Sequence, residues 1–149
     1  MEPSAAEELK RRTKQFGLRV IRLYRALPRN GEAQVIGRQL LRSGTSVGAN
    51  YRAVCRARSS AEFVSKLGIV IEEADESLYW LEMLLDSGTV RANRLGALMA
   101  EAGELISIFA AARQTARQSL KKSKFEIQVS KFLLCLCGYA VEILMLHKI

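Results

Sequence analysis

Apolar residues recur along the first part of the chain at alternating intervals of three and four positions, the spacing of one face of an α-helix. Four such stripes occupy residues 9–27, 36–54, 63–84 and 95–112. Four helices of about 25 residues, joined by short breaks, favour antiparallel neighbours. The pattern therefore predicts an all-α fold, an antiparallel up-and-down four-helix bundle.

Two Ser-x-x-Glu sequences mark where helices are expected to begin. Ser4 with Glu7 precedes the first stripe, and Ser59 with Glu62 precedes the third. In such a capping box the serine hydroxyl accepts a hydrogen bond from the backbone N–H three residues later. The first helix is predicted to end at residues 27–31, which read Leu-Pro-Arg-Asn-Gly.

The composition changes at Lys121. A strand-like alternation of apolar and polar residues comes first, at Phe125, Ile127 and Val129. Residues 132–146 are then nearly all apolar, but this run is shorter than the roughly 20 residues that span a bilayer. We predict a bundle domain at residues 1–120 and an apolar C-terminal extension at residues 121–149. Three arrangements stay open for the extension: loose attachment, packing on the bundle or on a neighbouring subunit, and membrane contact.

A glycine-containing tract lies within the second stripe, where residues 40–63 read LLRSGTSVGANYRAVCRARSSAEF. A nucleotide-binding loop needs a preceding strand and a G-x-x-x-x-G-K-[ST] or G-x-G-x-x-G pattern, and the tract matches neither. On a helix, Gly44 and Gly48 share one face and let a second helix approach closely. Asn50 falls on the apolar stripe and is expected to hydrogen-bond inside the bundle. These three residues are predicted to serve helix packing.

Charge is distributed unevenly along a chain of 149 residues with a net charge of +8. Residues 1–30 carry +5 and residues 31–58 carry +4, whereas residues 59–87 carry −6. The first two helices are therefore basic and the third is acidic. A basic balance of this kind favours nucleic acid or an anionic membrane as a partner.

Arginines form an outer stripe on each of the two basic helices. Because the planar guanidinium binds phosphate with two parallel hydrogen bonds, we expect these stripes to contact an RNA or DNA backbone. Two alternatives stay open: a solvated basic face, or a face that pairs with the acidic third helix of a neighbouring subunit without nucleic acid. The candidate nucleic-acid-binding residues are Arg22, Arg25, Arg38, Arg42, Arg52 and Arg56.

Residues that could support catalysis or hold a metal are scarce in the sequence. The acidic run at residues 72–76 lacks the Glu-x-x-His motif of two-metal bundles, and the single histidine, His147, lies in the extension. A carboxylate-only Mg²⁺ site is the weaker alternative to a solvated or subunit-facing acidic surface. We therefore expect no enzyme activity, metal, cofactor or small-molecule substrate.

Three cysteines in a chain with a polar, charged N-terminus bear on its location. An odd number of cysteines that form no zinc pattern favours a reducing compartment, and no signal peptide is recognisable. The expected location is therefore cytoplasmic, with membrane association unlikely because the apolar run is short. The three cysteines are Cys55, Cys135 and Cys137.

Several short motifs of this chain resemble those of the small four helix bundle proteins. These proteins were first noted as reading frames in intervening sequences of bacterial large-subunit ribosomal RNA genes and were once mislabelled as ribosomal proteins. The resemblance extends over roughly residues 9–118. The motifs that carry it are Leu40-Leu41-Arg42-Ser43, Ser46-Val47-Gly48-Ala49-Asn50, Arg58-Ser59 and Glu62-Phe63.

This resemblance implies an up-and-down protomer that assembles into a ring-like homopentamer, with no known catalytic residues. A relative, the accessory variability determinant of diversity-generating retroelements, has a basic surface and binds nucleic acid and a reverse transcriptase. The chain departs from the family pattern at Gly48, where proline is usual, and near Ala53 and Val54, where an acidic residue and glycine are usual. Arg52 and Arg56 make this turn more basic.

Overall fold

The computed structural model describes residues 4–146, with side chains at residues 4–126 and 128. Every regular element in that range is a helix, so the predicted all-α class is confirmed. Loops of five residues join successive helices. The four helices are α1 (Ala5–Arg25), α2 (Gly31–Val54), α3 (Ser60–Asp86) and α4 (Ala92–Leu146).

Polar side chains cap the first three helices, and both predicted capping boxes are helix starts. The Ser4 hydroxyl accepts the backbone N–H of Glu7 (3.3 Å), and the Ser59 hydroxyl accepts that of Glu62 (3.1 Å). The Glu62 carboxylate in turn accepts the backbone N–H of Arg58 (2.8 Å), one residue before the serine. Each bond satisfies an N–H that would otherwise lack a partner. The caps of α1, α2 and α3 are Ser4, Asn30 and Ser59.

Helices that are adjacent in the chain pack side by side, and α1 contacts α4 least. The antiparallel order is visible between α1 and α2. Gly37, near the start of α2, lies beside Leu27, just past the end of α1, whereas Gly48 lies beside Thr13. This arrangement is the predicted bundle, with a comparatively open seam between its first and last helices.

The core consists of the residues that form the apolar stripes, except that Tyr51 is buried in place of its neighbour Asn50. Tyr51 is buried and its ring lies 5.1 Å from that of Phe109, centroid to centroid. Asn50, expected at this place, is only half-buried, and no hydrogen bond of its side chain occurs among the described residues. Asn50 and Tyr51 lie on either side of the apolar stripe from Val47 to Val54. The larger aromatic ring of Tyr51 is the one that is buried, because it removes more apolar surface from water. The expected internal hydrogen bond of Asn50 is therefore wrong.

Helix α4 continues past Lys121 without a break and ends at Leu146. The strand-like alternation around Phe125 therefore lies in a helix and not in a strand. Three alternating apolar residues are too few to define a strand, and neither glycine nor proline interrupts residues 121–131, so the helix propagates. The boundary between residues 120 and 121 stays a prediction. Side-chain packing of most of the extension lies outside the described residues.

One helical stretch of the described chain, Ala92–Glu126, is long and apolar enough to cross a membrane by length and composition alone. The core helices of soluble proteins share this length and composition. Leu95, Leu105 and Phe109 of this stretch are completely or almost completely buried against the other helices. These three side chains belong to the core of the bundle, and the cytoplasmic location stays a prediction.

Candidate nucleic-acid interface

A groove of about 280 Å³ runs along the junction of α1 and α2 on the outside of the bundle. Small residues, among them Gly17, Gly48 and Ala49, line it together with Leu18 and Ile21. Its volume lies just below the range typical of small-molecule pockets. The cationic residues that line the groove are Lys10, Lys14 and Arg52.

The glycines bring the backbones of α1 and α2 close together beneath this groove. A Cβ at Gly44 would lie 2.8 Å from Cγ2 and 3.0 Å from Cγ1 of Val20. A Cβ at Gly48 would lie 3.3 Å from the carbonyl oxygen of Thr13, and one at Gly17 would lie 3.4 Å from that of Gly44. Side chains at Gly44 and Gly48 would push the helices apart, so these two glycines hold α1 and α2 close together beneath the groove.

The predicted arginine stripe of α2 does not face in one direction. Arg42 turns towards α3, where its guanidinium hydrogen-bonds Glu76 and lies 3.7 Å from Glu73. Thr45 and Arg52 instead line the groove with α1. The stripe therefore crosses the outer face of α2 from the acidic helix to the basic one, and Arg42 is largely neutralised within its own chain.

The two carboxylates beside Arg42 respond differently to their surroundings. The hydrogen bond from Arg42 lowers the pKa of Glu76. Burial raises the pKa of Glu73, and this effect outweighs the attraction of Arg42. Within the described part of the chain, the buried Oε2 of Glu73 has no hydrogen-bond partner. The carboxylate of Glu73 on the acidic helix is therefore partly buried in the bundle.

Apart from Arg42, which turns towards α3, the candidate arginines fall into two groups along the bundle. Arg22, Arg25 and Arg38 lie towards the end where α1 passes into α2. Arg52 lies near the opposite end, because Gly48 is level with Thr13. With a rise of 1.5 Å per residue, Arg38 and Arg52 are about 21 Å apart along the helix axis. Arg56 follows the end of α2 and is exposed. The structure therefore does not unite the six in one patch.

Sequence reasoning missed two basic residues of α1 that line the groove, and a third that ties α1 to α4. Lys10 and Lys14 line the groove, and Lys10 also forms an exposed ion pair with Glu7 (2.7 Å). Their i, i+4 spacing, continued by Gly17 and Ile21, is a readable helical stripe. Arg12 is pinned to α4: its Nε and Nη2 donate to the two carboxylate oxygens of Glu101 at 2.7 and 3.0 Å. It also hydrogen-bonds Glu104.

Other groups that could carry chemistry form no shared site in the described region. No group of three or more His, Cys, Asp or Glu residues there is placed to hold a metal ion. Cys55 is an exposed thiol just past α2. Burial, with Cys55 nearby, raises the pKa of Tyr51 to about 12, so this phenol stays protonated at neutral pH. The side chains of Cys135, Cys137 and His147 lie outside the described residues.

Helix α3 presents exposed apolar side chains between its carboxylates. Tyr79 is 51% exposed and Ile69 is 44% exposed. Tyr79 packs edge-on against Trp80, with ring centroids 4.8 Å apart, and the indole N–H of Trp80 donates to Glu76 (3.1 Å). Together with Met83, Glu72 and the half-buried Glu76 they form a helical stripe, which we call the α3 face: Ile69, Glu72, Glu76, Tyr79 and Met83.

Comparison with known proteins places this architecture in a family. A family model described as 23S rRNA-intervening sequence protein matches residues 7–111. A solved structure, a protein with unknown function from the S23 ribosomal protein family of Bacteroides thetaiotaomicron VPI-5482, is 31% identical in sequence with a TM-score of 0.68. The match covers 73% of this chain and 97% of that one. A comparison with curated proteins gives no match.

Proposed function

The chain belongs to the 23S rRNA-intervening sequence protein family, and we propose that this member is a non-enzymatic helical protein that binds the phosphate backbone of RNA or DNA. The α1–α2 groove supplies the contact. The observation that carries the proposal is the set of three cationic residues along the groove, which no carboxylate lines within the described residues. Lys14 and Arg52 have no ion-pair partner there either.

The shape of the groove suits an elongated polyanion better than a compact ligand. Its floor of small residues allows close approach to the helix backbones, and its cations lie at the rim. Contacts of this kind recognise phosphates rather than bases, so binding is independent of sequence and weakens as salt displaces the protein. Arg42 contributes less than its place in the sequence suggests, because Glu73 and Glu76 offset its charge.

A titration of single-stranded and duplex RNA and DNA at two salt concentrations tests this proposal. We expect Lys14→Gln/Arg52→Gln to weaken duplex binding at low salt and to lower the slope of log affinity against log salt by about 2, near 0.9 for each lost phosphate contact. The matched control is Arg11→Gln/Arg58→Gln, which removes two cations outside the groove.

Both control arginines are ion-paired, with Glu8 and Glu62. We expect the control to change the affinity far less than the groove variant. Absence of binding by the parent chain at low salt would refute the proposal. An equal loss in both double variants would show that the effect comes from net charge and not from the groove.

A second candidate function is that of a self-associating adaptor, favoured by the α3 face. Tyr79, Met83 and Ile69 expose apolar surface on an otherwise acidic helix, and α1 is basic. A ring of five, which the family resemblance implies, requires two different complementary faces on each protomer. We propose that the α3 face of one copy docks on the basic α1 surface of the next.

Light scattering coupled to size-exclusion chromatography tests this assembly. A monomer at micromolar concentration would contradict it. Tyr79→Ser/Met83→Ser is expected to reduce the measured mass, whereas Ser107→Ala, an exposed change on α4, is not. If the assembly forms but nucleic acid does not bind, the adaptor function replaces the first proposal. A reverse transcriptase is then the protein partner to test first.

A further inference from the structure

A second cationic cleft lies on the opposite side of α1, at its seam with α4. It has a volume of about 250 Å³, and three arginines from two helices line it with Leu23, Ala26 and Leu98. We propose that this cleft binds a dianionic phosphate group, held by Arg19, Arg22 and Arg94. The proposal goes beyond the α1–α2 groove and stands whether or not that groove binds nucleic acid.

Packing explains why the cleft exists at this place. The glycines of α2 draw α1 towards α2, and α1 contacts α4 least of all the packed helix pairs. Arg19 and Arg22 are three residues apart and so share one side of α1. Arg94 comes from the first turn of α4 and meets them across the seam. The convergence therefore depends on the tertiary fold.

In the described part of the bundle, four other arginines have carboxylate partners that the arginines of the cleft lack. Arg11, Arg12, Arg42 and Arg58 each form an ion pair with glutamate. No such pair is formed by the three cleft arginines among the residues that the structure describes, and no described carboxylate lines the cleft. Three guanidiniums in one cleft repel each other, and the attraction of each to a bound anion would offset that repulsion.

The apolar side of the cleft strengthens an anion contact. Leu98 is only 4% exposed and Leu23 packs partly buried against the core. Charge-assisted hydrogen bonds gain strength where water is excluded on one side. The first turn of α4 contains no acidic residue, so its positive dipole adds to the field of the arginines.

The number of arginines favours a monoester phosphate over a backbone diester. A diester carries one negative charge, whereas a phosphate monoester carries about 1.5 to 2 at neutral pH, with three acceptor oxygens. Three guanidiniums match the second case in charge and in donors. Free inorganic phosphate, a nucleoside monophosphate and the terminal phosphate of a nucleic acid all present this chemistry, and the experiment separates them.

The first measurement is thermal stability as inorganic phosphate or adenosine monophosphate is added, at constant ionic strength. We expect a saturable rise in the unfolding midpoint of the parent chain, larger at pH 7.5 than at pH 5.5 because a greater share of either ligand is dianionic at the higher pH. Arg19→Gln/Arg94→Gln should abolish the rise, and Arg11→Gln/Arg58→Gln should keep it. Absence of a saturable rise, or its survival in the cleft variant, overturns the proposal.

The second measurement compares oligonucleotides of one sequence with a 5′-phosphate or a 5′-hydroxyl. If the terminus is the source, the parent chain prefers the phosphorylated form by about tenfold, the scale of one charge-assisted hydrogen bond. The cleft variant loses this preference and keeps its affinity for the hydroxyl form. Thermal shifts without any oligonucleotide binding would leave the cleft standing and refute the groove.

One result would reassign the cleft to protein contact. If Arg19→Gln/Arg94→Gln lowers the mass of an assembly by light scattering and phosphate produces no saturable shift, an acidic surface of a second copy occupies the cleft. That outcome overturns the phosphate site. Circular dichroism of both double variants checks that their helix content matches that of the parent chain.

Discussion

Ser77 of α3 donates a hydrogen bond to the hydroxyl oxygen of Ser43 of α2 across 3.0 Å, and both side chains are completely buried. Ser43 in turn donates to the carbonyl oxygen of Gln39, 3.1 Å away. Each hydroxyl lies on a stripe that is otherwise apolar, where an unpaired polar group would destabilise the core. The pair therefore satisfies two polar groups at once and fixes the level at which α2 and α3 meet.

This pair predicts a coupling between two substitutions. Ser43→Ala and Ser77→Ala should each lower the free energy of unfolding by about 1 kcal/mol, and the double variant should lose less than the sum. Urea unfolding of all four proteins measures the cycle. Ser107→Ala is the control, since Ser107 makes a similar bond to Gly103 (2.9 Å) at an exposed position. Strict additivity would show that the interhelical bond contributes nothing.

The glycines of α2 and α4 predict opposite effects of the same substitution. Gly44→Ala places a methyl group 2.8 Å from a branched valine, so overpacking of roughly 1–3 kcal/mol should exceed the gain of about 1 kcal/mol in helix propensity. Gly103→Ala meets no heavy atom within 4 Å and should stabilise by up to about 1 kcal/mol. Equal changes in unfolding midpoint would contradict the close approach of α1 and α2.

Two adjacent arginines of α1 predict different contributions of an ion pair to stability. Arg12→Met should cost roughly 1–3 kcal/mol, because it removes the charge-assisted bonds that join α1 to the largely shielded Glu101 of α4. Arg11→Met removes an exposed pair with Glu8 and should change stability by less than about 0.5 kcal/mol. Both variants lose one charge, so denaturant unfolding at a single pH compares them directly. A similar loss of stability in both variants would show that the bonds from Arg12 to Glu101 contribute no more than the exposed pair of Arg11 with Glu8.

The cap of α3 predicts a dependence of stability on pH. The backbone N–H of Arg58, followed by Lys66 and the Arg58 side chain, lowers the pKa of Glu62 from 4.5 to about 2. The folded chain thus holds this proton less tightly than the unfolded chain. The contribution of Glu62 is fully present above about pH 4.5 and is lost as the pH falls towards 2.

The comparison of the parent chain with Glu62→Gln isolates this group from the other carboxylates. The difference in unfolding midpoint between the two proteins should be largest near neutral pH and should vanish near pH 2. Glu72→Gln, for whose exposed side chain the structure shows no hydrogen bond within the described region, is the control and should show little change across the same range. A constant difference for Glu62→Gln would exclude a role for its ionised form.

Short-range patterns are the part of this protein that its sequence determined. The stripe through Phe16 and Val20 requires only that successive turns bury the same side, and the Ser4 and Ser59 caps depend on residues three positions away. These local rules predicted the helices, most of the core and the up-and-down order. They failed at Asn50, where two neighbours compete for one buried place, and at Phe125, where the alternation was too short.

Relations between helices were decided only by the tertiary structure. The sequence placed Arg38, Arg42 and Arg52 on one stripe, yet Arg42 turns to the glutamates of α3 while Arg52 lines a groove with Lys14 of α1. A periodicity defines the angle of a residue around its own helix, but the neighbour that it meets depends on how far apart the backbones lie. The glycines bring α1 close to α2 and leave the seam with α4 open. The α1–α2 groove and the cationic cleft between α1 and α4 both follow from this unequal packing.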